Sequence, residues 1–206
     1  RSVVAALDSA LVPDRLLAPA SARPYTVSLG GALSDVALVA FLLRSIRLTL
    51  VRVEFEEASA VLRSPYFSGA THERDARELV DAQLRRRCQR LVDFERVFEA
   101  AQASARDGGV EVAQLLAGLR TLNDWRRQHA TRSRRPSEWA SAFAQVLQLI
   151  SAFSAGGLIG SDSVLDSAEY QALARWQDLL AEFAALDRTV GRLTAAAAVG
   201  KLERIA

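Results

Sequence analysis

The sequence predicts an all-α protein, an irregular multi-helix bundle of about eight helices with little or no sheet. Three observations predict it. Alanine, leucine and arginine dominate the chain, and all three favour helices. Apolar residues recur at i, i+3, i+4 and i+7 along most of its length. Alternating, strand-like patterning is confined to one short piece, Tyr25 to Leu29. Half of the 206 residues are apolar and 24% are charged, an ordinary globular mixture long enough to bury a sizeable core. The expected organisation is a single helical domain over 1–206, with a sub-boundary at 106–109.

Taken in order, Ser2 to Leu11 reads as a short helix ended by Pro13, and 13–33 as loop. Ser34 or Asp35 is the expected N-cap of a helix running to about Leu50. Val36, Val39, Leu42, Leu43, Ile46 and Leu50 make that helix apolar on most sides, which places it centrally. Glu54 to Arg63 forms the next helix and stops at Ser64-Pro65. Beyond the loop "SPYFSGA", a charged helix spans about Thr71 to Arg87. Asp93 caps another over Phe94 to Ser104, which "RDGG" ends. Val112, Leu115, Leu116, Leu119 and Leu122 keep helical spacing to the region of Trp125. "HATRSRRP", 129–136, is a basic loop. Trp139, Phe143, Val146, Leu147, Ile150 and Phe153 form a further apolar stripe, broken by "SAGGLIGSDS". In "DSAE", Asp166 caps a helix and Glu169 reaches back, with Leu173, Trp176, Leu180 and Phe183 on its inner face. Thr194 to Ile205 is the last helix.

Composition excludes several classes. Residues 1–12 lack the pattern of a signal peptide. The most apolar block, Val36 to Val53, is interrupted by Arg44, Arg47 and Arg52, so no membrane span is expected. Cys88 is the single cysteine, which precludes an internal disulfide and points to a reducing, cytoplasmic setting. The chain lacks methionine and opens on Arg1, so it is expected to be an internal piece of a longer protein or a processed one.

Familiar catalytic patterns are missing. Gly30-Gly31 is followed by Ala-Leu-Ser-Asp rather than by the lysine of a phosphate loop, so these glycines read as a turn. The two histidines, His72 and His129, lie far apart in sequence, and with one cysteine they make no zinc set. "HERD", 72–75, reads as a helix start whose acids meet the positive end of the helix dipole. Glu56-Glu57 reads as a solvated face, and Arg85, Arg86, Arg87 and Arg90 as a helix C-terminus. No metal site, cofactor site or catalytic residue is therefore expected in this chain.

Net charge is +2, but almost all the cations are arginines, since Lys201 is the only lysine. They concentrate in "WRRQHATRSRRPSEW", with Arg126, Arg127, Arg132, Arg134 and Arg135 between Trp125 and Trp139. Arginines neutralise phosphates, and a tryptophan can stack on an unpaired base, so Arg126, Arg127, Arg132, Arg134, Arg135 and Trp125 are candidate DNA contacts. The other reading makes the tryptophans core residues and the arginines a solvated loop, and both stay open at this level.

The stretches "RPYTVSLGGALSDVALVAFLLRSIRL" and "ASAVLRSPYFSGATHERDARELVDAQLR" resemble the insertion region of RecB/AddB-type helicase–exonucleases, in particular the group described as probable DNA repair proteins. "EWASAFAQVLQLI" and "LDSAEYQALARWQDLLAEFAALD" are similar to that group as well. The resemblance implies a parent with an ATP-dependent helicase-like motor and a Mg2+-dependent nuclease, and implies that this chain is the helical 2B-like insertion between their parts. Its expected role is non-catalytic: to position DNA, or to hold the neighbouring motor and nuclease domains. The alternative is a structural or protein-interaction domain without DNA contact. A stand-alone helical enzyme is the third class, for which the residues offer no candidate site.

Overall fold

Helix α1 (Ala37–Leu50), buried along most of its length, lies at the centre of the described structure. In the computed structural model, residues 32–87, 90–107, 109–150 and 167–206 are described. The expected helix at Ser2–Leu11, the extended piece Tyr25–Leu29, Gly30-Gly31, Cys88, the "SAGGLIGSDS" break and the Asp166 cap lie outside them. Contacts divide the chain after Ala32, and Leu33–Ala206 form one unit.

Eight helices are described: α1, α2 (Phe55–Leu62), α3 (Arg74–Arg87), α4 (Phe94–Asp107), α5 (Ala113–His129), α6 (Pro136–Ile150), α7 (Ser167–Ala185) and α8 (Ala195–Ile205). The sheet among the described residues is a two-residue antiparallel ladder. In it β1 (Val53–Glu54) pairs with β2 (Leu91–Val92), Val53 opposite Val92 and Glu54 opposite Leu91. The architecture is all-α, as expected. None of the described helices is long and apolar enough to cross a membrane.

Helix α1 buries Leu38, Val39, Phe41, Leu42, Leu43, Ile46 and Leu48 and touches α2, α4, α5, α6, α7 and α8. Its two buried hydroxyls stay satisfied within the helix: Ser45 Oγ donates to the Phe41 carbonyl and Thr49 Oγ1 to the Ser45 carbonyl, both at 2.7 Å. Its start differs from expectation. Leu33–Asp35 form a single 3-10 turn in which the Val36 N–H donates to the Leu33 carbonyl. Val36 is therefore the N-cap, and no side chain caps the helix. Asp93 does cap α4, its Oδ1 accepting from the Arg96 N–H at 3.0 Å, and Thr194 caps α8 by accepting from the Ala197 N–H. The expected break at 106–109 overlaps the end of α4, which runs through Asp107; α4 and α5 pack on each other, and Gly109 between them has φ +58°.

Two acidic readings change. Glu57 is no solvated residue: Arg47 of α1 lies between Glu57 of α2, at 2.9 Å, and Glu203 of α8, at 2.8 Å. Burial opposes the Arg47 charge, but the hydrogen bonds and charges of Glu203 and Glu57 outweigh it and raise its pKa. The helix start at "HERD" holds more than a dipole partner. Glu73, 7% exposed, sends its carboxylate away from α3 to the first turn of α5, accepting from the Gln114 N–H at 2.6 Å and the Leu115 N–H at 2.9 Å. It thus caps a helix forty residues downstream in sequence (|i−j| 41 and 42), satisfying two of the amides that a helix start leaves open.

The other partner of Glu73 is Arg77, 1% exposed, at 3.1 Å. Arg77 also donates to the Leu62 and Ser68 carbonyls, and its guanidinium lies 5.3 Å from the centroid of the Phe67 ring. Burial pulls its pKa down, opposed by the hydrogen bond and charge of Glu73. The loop from Ser64 to Glu73 is thereby fixed against α5 at close quarters. Gly69 has φ +80°, and a Cβ there would meet Gln114 Cβ at 2.5 Å. Gly118, inside α5, lies under Phe67, whose Cε1 would be 2.6 Å from an added Cβ.

Replacing Glu73 by alanine leaves Arg77 buried without its counter-charge and should cost about 3–5 kcal/mol in urea denaturation. Glu73→Leu with Arg77→Met should recover only part of that loss, because the Gln114 and Leu115 amides remain uncapped. Gly118→Ala should destabilise by about 1–3 kcal/mol through overpacking, although alanine is the better helix former. Phe67→Leu should cost less in the Gly118→Ala background than in the wild-type chain, a non-additivity readable in a double-mutant cycle.

Candidate functional site

The arginine-rich segment lies at the end of α5, in the loop 130–135 and at the start of α6. The two flanking tryptophans are inside. Trp125 is 3% exposed and its Nε1 donates to the Ala142 carbonyl at 3.2 Å, while Trp139 is fully buried and donates to the Leu193 carbonyl at 2.9 Å. Both rings sit at core spacing on amphipathic helices, and both indole N–H groups are satisfied by backbone. Trp125 is thus unavailable as a stacking platform, and its place among the candidate DNA contacts is withdrawn. The physical reason is the same periodicity that predicts α5, since Leu115, Leu119, Leu122 and Trp125 share one buried face.

The arginines divide into two groups. Arg126 pairs with Glu95 of α4, and Arg134 is held over the Trp139 ring at 5.9 Å and donates to the Gln128 carbonyl at 3.4 Å. Arg127, Arg132 and Arg135 are exposed, and their side chains form no ion pair among the described residues. They stand on a pinned backbone. Arg134 and Leu193 exchange hydrogen bonds of 3.0 and 2.7 Å as an isolated antiparallel bridge, and Arg192 Nε donates to the Ser133 carbonyl at 2.9 Å. Arg192, which sequence reasoning missed, therefore joins the surface, with Glu138 3.8 Å away. Its partner in the chain is 59 residues distant, and no local pattern marks that pairing.

The nearby acids are engaged at the start of α6. Asp187 accepts from the Ser137 N–H at 2.9 Å and its hydroxyl at 2.6 Å, and Glu138 accepts from the Arg135 N–H at 2.7 Å. The Ser137 hydrogen bonds, with Arg135 behind them, hold the Asp187 carboxyl below the usual carboxylate range. Both carboxylates are exposed beside the arginines and are taken up by these bonds.

Beneath the loop lies His129, 5% exposed, its ring 4.7 Å from that of Trp125 and 6.2 Å from that of Trp139. Burial, and then the charges of Arg134 and Arg132, lower its pKa to about 4. The imidazole is neutral at physiological pH and acts as a packed ring rather than as a base.

Of the other cationic cluster, three arginines are a helix end and Arg90 lies beyond it. Arg85, Arg86 and Arg87 form the last turn of α3, with Arg85 4.5 Å from the Phe55 ring centroid, and Arg90 pairs with Glu54 at 3.0 Å. Among the described residues, no group of three or more His, Cys, Asp or Glu side chains is placed to hold a metal ion. A scan against protein-family models matches no family, and searches of curated proteins and of solved structures return no match.

The His129 environment makes stability pH-dependent in a defined direction. The unfolded chain binds the imidazole proton near pH 6.5, the folded chain only near pH 4, so the stabilising share of neutral His129 is complete above about 6.5. It should be lost progressively as pH falls towards about 4. Urea midpoints of wild type and His129→Gln, taken across that window, should converge as the pH is lowered.

Proposed function

We propose that this chain is a non-catalytic helical module that holds DNA by its backbone, the 2B-like insertion of an ATP-dependent DNA-repair helicase–exonuclease. The observation that carries the reading is the pinned cationic surface of Arg127, Arg132 and Arg135, with Arg134 and Arg192 beside them. Guanidinium groups on a fixed backbone suit phosphate oxygens, which accept two parallel hydrogen bonds from one arginine. Burial of both tryptophans removes base stacking from this surface, so contact would be with phosphate and sugar and indifferent to sequence.

In this reading the motor and nuclease domains of a parent chain are the other partners, and ATP and Mg2+ belong to them. The resemblance of "AVLRSPYFSGATHERDARELV" to that family's insertion region supports the assignment, and the structure gives those residues a packing role. Phe67, Gly69 and Glu73 of that stretch hold the loop before α3 against α5, with Arg77 as the counter-ion of Glu73.

Anisotropy of labelled single-stranded, duplex and forked oligonucleotides with the full chain, over a salt series, tests the proposal. Binding should weaken steeply with salt. Converting Arg127, Arg132 and Arg135 to glutamate should abolish it, and single glutamine variants should each lower the log–log salt slope by about one. Affinity unchanged in the triple variant, or no binding at low salt, would leave a scaffold whose partners are other protein domains.

A further inference from the structure

A second cationic feature lies on another part of the molecule and is built differently. Helices α1 and α2, the loop after α2 and the first turns of α3 enclose a cleft of about 510 Å³. Arg44 of α1, Arg63 at the end of α2 and Arg74 at the start of α3 all line it, and all three are exposed. None forms an ion pair among the described residues, whereas Arg47, Arg52, Arg90 and Arg126 each have a carboxylate partner. Glu78 is the one acid in the lining.

Arg77, 1% exposed, lines the same cleft, and its Nε–H has no hydrogen-bond partner. The same guanidinium donates from Nη1 to the Leu62 carbonyl and from Nη2 to the Ser68 carbonyl and the Glu73 carboxylate. The cleft also has an aromatic side. Phe41 and Tyr66 line it with ring centroids 5.9 Å apart and planes tilted by 39°, together with small alanines.

We infer that this cleft binds a phosphate-bearing organic anion with a flat apolar body, its phosphate held by Arg44, Arg63 and Arg74 and its body lying against Phe41 and Tyr66. The volume is within the range of about 300–1,000 Å³ usual for small-ligand sites. Arginine rather than lysine at all three positions suits the forked recognition of phosphate oxygens. Such a group has two sources, a free nucleoside monophosphate and the 5′-phosphorylated end of a strand. The inference does not rest on the DNA-backbone reading, because no residue of the loop 130–135 lines the cleft.

The test is calorimetric titration of the full chain, carrying Arg127, Arg132 and Arg135 as glutamates, with AMP, adenosine, inorganic phosphate and short oligonucleotides with and without a 5′-phosphate. AMP or the 5′-phosphorylated strand should bind saturably, and the one that binds identifies the source. Adenosine and the unphosphorylated strand should bind at least about tenfold more weakly. Arg63→Gln and Arg74→Gln, both exposed and unpaired, should each lower affinity about tenfold with an unchanged urea midpoint. Adenosine binding as well as AMP, affinity unaffected by the arginine variants, or no saturable binding of either phosphorylated probe at millimolar concentration would overturn the inference. None of these outcomes bears on the glutamate-sensitive surface, whose failure is read in the salt series instead.

Discussion

A single buried carboxylate, Glu73, sets the arrangement of the helices around it. It meets the first residues of α3 from its own backbone, two amide groups of α5 from its side chain, and the Arg77 guanidinium as a counter-ion. Burying two charges is costly in itself, and the cost is met only when nearly every lone pair and proton finds a partner. That requirement fixes geometry tightly. The loop 64–73 cannot shift without breaking several bonds at once, so Phe67 is pressed onto Gly118 and Gly69 onto Gln114. The seat of that loop on α5 follows from these contacts, and with it the wall of the arginine-lined cleft that Ser64, Pro65, Tyr66 and Ala70 form.

The same logic recurs at other helix ends and explains how a nearly neutral chain presents cationic surfaces. Glu73 caps α5, Asp187 caps α6, and Glu57 and Glu203 clamp Arg47 between three helices. Acids are turned inward or along the surface to close backbone and side-chain donors. Arg127, Arg132 and Arg135, and separately Arg44, Arg63 and Arg74, are left facing solvent. An exposed ion pair such as Arg126 with Glu95 adds little stability, but it removes one arginine from the outward set. Which cations remain free is thus decided by which carboxylates the helix starts require.

Much of the fold was legible because it depends on local periodicity. The central position of α1 follows from its nearly all-round apolar face, and the ends of α2 and α3 and the starts of α4 and α8 follow from Ser64-Pro65, Arg85–Arg87, Asp93 and Thr194, whereas α3 starts at Arg74 rather than Thr71 and α4 runs to Asp107 rather than Ser104. The start of α1 was misjudged because Ser34 and Asp35 have good capping chemistry but are taken up in a 3-10 turn. In the candidate site, the arginines were visible as a cluster. The burial of Trp125, the pairing of Arg126 and the arrival of Arg192 were not, since each depends on a partner from a distant helix.

By itself, then, the sequence determined the helices, their inner faces and the concentration of arginine between residues 126 and 135, because these are properties of neighbours along the chain. Tertiary structure decided which polar groups are engaged and which are free. A carboxylate such as Glu73 serves the nearest unsatisfied donors in space, and those belong to a helix start forty-one residues away. The same reach brings Arg44, Arg63 and Arg74 around one cleft, although nothing in their local spacing joins them.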